Sequence, residues 1–272
     1  MSTFYDRFLA RRGALRSVLC VGIDPDPAAI PNSDSGIEGT FSFLREIIQA
    51  TAPYACAYKP NVAFFEVLGP AGWDLFGRIV QCIRREAPEA LIVADAKRGD
   101  LANTARFYAE TFFKTYNCDG LTVNPYMGME SLAPYDQFSD RGVFALCLTS
   151  NPGAVDFQMQ GSPPLFEQVA RSVQERNAIT RNYWMVAGAT RDADSLSRIK
   201  SIAPSVPLLI PGVGAQGGEL AVVLRNCGAD VLVNASRSIL YAYKEHSGVS
   251  RGEAAARSAK NVVDEMRSLL SF

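Results

Sequence analysis

The chain has 272 residues, 27 Lys+Arg against 28 Asp+Glu, and 48% hydrophobic residues. That length can bury a full core in one large α/β domain or two small ones, and 20% charged residues beside ample aliphatics exclude a disordered chain. A net charge of −1 supplies no field for gripping nucleic acid or anionic lipid, and the opening Met1-Ser2-Thr3-Phe4-Tyr5-Asp6 lacks a basic-then-apolar leader.

No apolar run reaches the roughly 18–20 residues of a membrane span, so a soluble, cytoplasmic protein with no membrane or nucleic-acid partner is expected. Residues 1–15 read as a helix. Short apolar, β-branched runs then follow at 18–23, 55–58, 91–94, 120–123, 143–148, 183–186, 208–210 and 231–233. Between them lie amphipathic segments, among them 41–50, 73–86, 104–116, 165–177 and 220–226, and the chain closes on a helix over 251–270. Strands alternating with helices predict parallel βαβ units. From Asp24 to Asn234 the seven steps average 30 residues each, the anatomy of a (β/α)8 TIM barrel. No Pro/Gly/Ser-rich linker interrupts it, so residues 1–272 are expected to form one domain, with the first helix covering the barrel's bottom.

Each apolar run ends in a polar or small residue: Asp24, Lys59, Asp95 with Lys97, Asn124, Ser150, Gly188, Pro211-Gly212 and Asn234. In a barrel those ends share one rim, where active sites sit. Cys20, Cys56, Cys82, Cys118, Cys147 and Cys227 contain no C-x-x-C pair and read as reduced core residues. His246 is the only histidine and lies in a polar turn, which removes most support for histidine-based zinc sites or triads. Any chemistry must therefore run on Asp, Glu, Lys, Arg and backbone.

Ala94-Asp95-Ala96-Lys97-Arg98-Gly99-Asp100 is the most informative segment. Two apart on a strand, Asp95 and Lys97 are expected to point the same way, with Lys59 on the neighbouring strand. Asp100, past Gly99, can turn back or reach another subunit. Lysines set among aspartates stay charged, so they suit a reaction that builds negative charge on carbon and then quenches it. The competing reading is a structural salt-bridge cluster plugging the barrel mouth.

Pro211–Gly218 follows the seventh strand and Ser236-Arg237-Ser238 the eighth, the customary place for a phosphate in a barrel. Arg237 would supply a bidentate contact and Gln216 an amide donor. Gly212-x-Gly214-x-x-Gly217 also fits a dinucleotide fingerprint, but it follows the wrong strand and no acidic residue ends the next one.

Gly22-Ile23-Asp24, Tyr58-Lys59-Pro60-Asn61, Asp95 to Asp100, Ser150-Asn151-Pro152-Gly153, Pro211–Gly218 and Ser236-Arg237-Ser238 occur in the order of the orotidine 5'-phosphate decarboxylase family, and the chain resembles its longer bacterial branch. The resemblance implies a homodimeric barrel without metal or cofactor, acting on orotidine 5'-phosphate in UMP biosynthesis. It further implies Lys97 as proton donor, Asp95 beside the substrate carboxylate, and Lys59 with the partner's Asp100 completing the array. Asp24 and the partner's Thr104 would meet the ribose, Ser150 the pyrimidine edge, and Gln216, Ser236 and Arg237 the phosphate. The segment 156–164 is a candidate lid, with Gln158 or Gln160 contributing. Two rivals stand beside this: a magnesium-dependent sugar-phosphate enzyme on the same frame, and a catalytically idle nucleotide binder.

Overall fold

The structure is a computed structural model that describes residues 2–31, 35–188, 193–213, 217–246 and 248–270. Thr3 opens the first helix, α1 (Phe4–Leu15), through a reciprocal cap: its hydroxyl accepts Asp6 N–H at 3.1 Å and Asp6 accepts Thr3 N–H at 2.9 Å. The helix stops at Arg16, which turns left-handed at φ 50°. The chain then enters β1 (Leu19–Ile23), α2 (Gly36–Thr51), β2 (Ala57–Pro60), a short α3 (Ala63–Glu66), α4 (Pro70–Glu86) and β3 (Leu91–Arg98). It continues through α5 (Ala102–Glu110), β4 (Gly120–Val123), β5 (Gly142–Leu148), α6 (Leu165–Thr180), β6 (Tyr183–Ala187), α7 (Ala193–Ile202), β7 (Leu208–Pro211), α8 (Gly217–Cys227) and β8 (Val231–Ala235). A single turn, α9 (Arg237–Leu240), precedes the last helix, α10 (Arg251–Leu269).

The eight strands pair in sequence order and β8 closes on β1, so the expected barrel is the observed one. Every strand is parallel to its neighbours and buried on both sides along most of its length, which is why the runs are continuously apolar rather than alternating. Two connections depart from the regular pattern. Between β4 and β5 the chain makes 3₁₀ turns (Pro125–Met127 and Met129–Gln137), and α5 passes into a π-turn, Thr111–Thr115, instead of running on as one helix to residue 116.

Aromatic side chains of α1 pack against residues of β5 and β6. Phe4 stands edge-on to Phe144 at 5.5 Å and to Trp184 at 5.4 Å, and Phe8 meets Trp184 at 4.9 Å, all with 0–1% exposure. Removing one such ring costs about 3–5 kcal/mol. Asp119 at the head of β4 is buried among three guanidinium groups, Arg7 at 2.5 Å, Arg84 at 2.7 Å and Arg141 at 3.5 Å, and also accepts Ile92 N–H at 2.8 Å.

Candidate active site

The opposite end of the barrel carries the charge. Lys59, the penultimate residue of β2, is 5% exposed and donates from Nζ to Asp95 Oδ2 at 2.7 Å. Lys97 donates to the other oxygen, Oδ1, also at 2.7 Å, with its side chain 48% exposed towards the mouth. Asp95 is thus held between a buried ammonium and an open one.

Burial alone would push the Asp95 carboxyl up, but Lys59 and Lys97 outweigh it and hold Asp95 far below the usual carboxylate range. For Lys59, burial would favour the neutral amine; Asp95 and Asp24 reverse that and hold it above the usual lysine range. Asp24, just past the end of β1, keeps Oδ1 buried without a hydrogen-bond partner.

Asp95 and Lys97 converge, but not as neighbours on a regular strand. Lys97 is left-handed at φ 50°, and the β3–β4 register jumps from Ala94↔Leu121 to Arg98↔Val123. Four positions on β3 therefore face two on β4, a bulge that re-aims the lysine. Arg98 steadies the far side: one guanidinium nitrogen meets Ala96 O at 3.2 Å, another pairs with Glu66 of α3, and the group lies over Tyr108 at 5.4 Å.

A residue that the sequence reading passed over lies opposite the bulge. Thr122 of β4, 1% exposed, donates its hydroxyl to Asp95 Oδ1 at 3.0 Å and accepts Lys97 N–H at 2.9 Å. The only sequence signal was a lone hydroxyl in an apolar strand, which also suits plain β-branched packing.

Around the rim, Ser150 is exposed and packs against the backbone of Gly188 and near Gly212, so the ends of β5, β6 and β7 meet there. Gly22 leaves room for the Ser236 side chain; any Cβ at Gly22 would strike its hydroxyl. Asn234 Nδ2 donates to Ser236 Oγ at 3.1 Å, and Arg237 opens α9 with its side chain exposed. Gln216 lies outside the described residues. In the segment 156–164, Gln158 Oε1 accepts Thr149 N–H at 2.7 Å and its Nε2 donates to Thr149 Oγ1 at 2.8 Å, while Gln160 donates to Val155 O at 2.6 Å.

Asp100 and Thr104 are not drawn into the cluster within one chain. Asp100 accepts Leu101 N–H at 2.7 Å and makes no ion pair with Lys59 or Lys97, and Thr104 is exposed on the first turn of α5. Leu101 (58% exposed) and Phe107 (54%) lie at the start of α5 and along it, and Tyr126 (77%) and Met127 (44%) on the turn after β4 are also exposed.

A closed (β/α)8 barrel that gathers a carboxylate and two lysines at its C-terminal rim has the architecture of a barrel enzyme. The chain belongs to the orotidine 5'-phosphate decarboxylase / HUMPS family, whose model matches residues 17–250. An orotidine 5'-phosphate decarboxylase of Dehalococcoides mccartyi is 42% identical over 259 residues, covering 92% of each chain, and one of Cupriavidus necator is 38% identical over 272 residues, covering 97% of this chain and 99% of the other. Among solved structures, the Leishmania donovani OMP decarboxylase superposes with a TM-score of 0.83 at 33% identity, covering 98% of this chain and 99% of its own. The Leishmania donovani UMP synthase gives 0.84 at 35% identity, with 98% of this chain matching 57% of that longer one.

Proposed function

We propose that residues 1–272 act as one barrel unit that decarboxylates orotidine 5'-phosphate to UMP and CO2, without metal or cofactor. The observation that carries this reading is Asp95 held at 2.7 Å by both Lys59 and Lys97. Breaking the C6–carboxylate bond leaves its electron pair on C6, in an orbital the ring cannot delocalise. Through-space charge has to stabilise it, and Lys97 is the open ammonium at the mouth. Its Nζ proton then passes to C6, giving UMP and a neutral amine that solvent reprotonates. Asp95 would face the departing carboxylate. Both its oxygens already hold ammonium groups, which leaves it poorly suited to a divalent cation and supports the metal-free reading over the magnesium-dependent one.

The remaining roles follow the family resemblance: Asp24 towards the ribose, Ser150 towards the pyrimidine, and Ser236, Arg237 and Gln216 towards the phosphate. Asp100 and Thr104 would act across a homodimer interface. The exposed apolar side chains of Leu101 and Phe107, on the same short stretch of chain, support that pairing. A cytoplasmic site is supported by six cysteines, all buried as free thiols; no helix among the described residues is long and apolar enough to cross a membrane.

The test is to mix purified protein with orotidine 5'-phosphate and excess EDTA and follow the loss of pyrimidine absorbance. Decay to UMP supports both the substrate and the metal-free chemistry. Activity lost to EDTA and restored by magnesium overturns the metal-free reading, and UMP binding without turnover points to an idle binder. Sedimentation of the wild type should give a dimer, and Phe107→Asp should shift it to monomer.

A further inference from the structure

Lys97 sits in a conformation that a non-glycine residue adopts at a cost of about 1–2 kcal/mol. Its φ of 50° lies inside the bulge where β3 carries two more residues than β4. Left to itself the segment would relax towards an extended strand, and the Lys97 side chain would swing off Asp95. Something has to hold the backbone, because the ladder that normally does so is interrupted at this point.

The structure assigns that task to Thr122, as a positioning residue for Lys97 in the decarboxylation proposed above, on which this inference rests. Thr122 lies on β4 between Leu121 and Val123, the two residues that bracket the register jump, and so faces the unpaired stretch of β3. Its hydroxyl takes over the missing ladder contact. It accepts the Lys97 N–H at 2.9 Å and gives its only proton to Asp95 Oδ1 at 3.0 Å, the same oxygen that receives Lys97 Nζ at 2.7 Å.

The direction of these bonds is forced. An ionised carboxylate only accepts, so the hydroxyl proton must point at Asp95 and a lone pair must face the amide. One side chain thereby fixes the backbone of the lysine and the carboxylate that receives its ammonium. Thr122 is 1% exposed, and on its other edge β4 pairs in register with Phe144 of β5, so the hydroxyl is carried on rigid framework.

The test compares Thr122→Val, which keeps the shape and deletes the hydroxyl, with Thr122→Ser, which keeps the hydroxyl. A misplacement near 1 Å costs on the order of 100-fold in turnover. Thr122→Val should therefore lose about that factor in kcat with KM for orotidine 5'-phosphate within threefold, since phosphate and ribose contacts lie elsewhere on the rim; Thr122→Ser should stay within fivefold of wild type in both. Hydrogen exchange of the peptide containing residues 95–100, which needs no substrate, should quicken at least tenfold in Thr122→Val and not in Thr122→Ser. If the valine variant does not fold, Thr122→Ala against Thr122→Ser makes the same comparison. Unchanged exchange in the hydroxyl-free variant overturns the assignment, as does kcat within threefold of wild type or a serine variant as impaired as the valine one. A wild type that leaves orotidine 5'-phosphate intact overturns the proposed function instead, and the exchange arm still decides whether Thr122 holds the backbone.

Discussion

Tyr241 and Asp24 are joined across the closing seam of the barrel: the phenol donates to the Asp24 carbonyl at 2.9 Å and accepts the Asp26 N–H at the same distance. Tyr241 follows α9 directly, so the turn that begins with Arg237 is tied to the loop that presents Asp24. Burial pushes the Tyr241 phenol up to about 12, which keeps its proton in place at neutral pH. Tyr241→Phe removes both bonds, each worth about 1 kcal/mol net. Steady-state kinetics should show KM for orotidine 5'-phosphate raised roughly five- to thirty-fold, with kcat within twofold; an unchanged KM would show that the tie does not hold Asp24.

Lys97→Ala should leave a folded protein, because the Lys97 side chain is half exposed and Asp95 keeps Lys59. Turnover should fall by at least roughly 10⁴-fold, the upper range for a lost general acid and more once the charge effect is added. Near-normal turnover in a variant with an unaltered circular dichroism spectrum would remove Lys97 from the mechanism.

The Lys59–Asp95 pair sets a pH window. Asp95 is held below its ordinary value of 3.8, so its contribution to stability is present above pH 3.8 and is lost only as pH falls through the lower folded value. Lys59 is held above 10.5, so its contribution is present below pH 10.5 and is lost only as pH rises through the higher folded value. Denaturant midpoints should therefore carry no step from this pair between about pH 4 and 10.5. Asp95→Asn leaves a buried ammonium without its nearest anion, at a cost of about 3–5 kcal/mol. In that variant stability should rise with pH as Lys59 loses its proton. A midpoint flat with pH in Asp95→Asn would show Lys59 to be adequately solvated or held by Asp24 alone.

Asp119→Ala tests the far end of the barrel. It removes the carboxylate shared by three guanidinium groups, each of which keeps a backbone carbonyl partner, and leaves the buried Ile92 N–H without that acceptor, at about 2–4 kcal/mol, which for a chain of this size lowers the melting midpoint by roughly 5–15 °C. Below that midpoint kcat should match the wild type, since Asp119 stands at the head of its strand and the lysines at the rim. A catalytic defect at a temperature where the variant is folded would show coupling between the two ends.

The rim residues were legible because a barrel brings every strand end to one face, so Lys59, Asp95 and Asp24 could be grouped without any distance. The backbone of Lys97 was not. Regular alternation places Asp95 and Lys97 on one side by itself, and nothing in Ala94–Asp100 marks the two-residue bulge, because the left-handed position is filled by lysine rather than glycine. Thr122 stayed hidden for the same reason, its bonds existing only once the bulge is formed. The pairing of Gln158 with Thr149 leaves no local mark either, because neither residue type requires the other nine positions away. Tyr241 and Asp24 are 217 positions apart, beyond any local pattern.

The aromatic packing of α1 against the barrel also orders events in time. Phe4 and Phe8 leave the ribosome well ahead of their partners: Phe144 and Trp184 lie on β5 and β6, and Tyr5 reaches Asp230 across 225 positions. Until most of the chain has been made, two large apolar rings have nothing to dock on, and loop closure over such separations is slow. A helix made early is thus secured late, and the interval in which α1 stands unpaired is when the nascent chain is most exposed to aggregation and to chaperone capture.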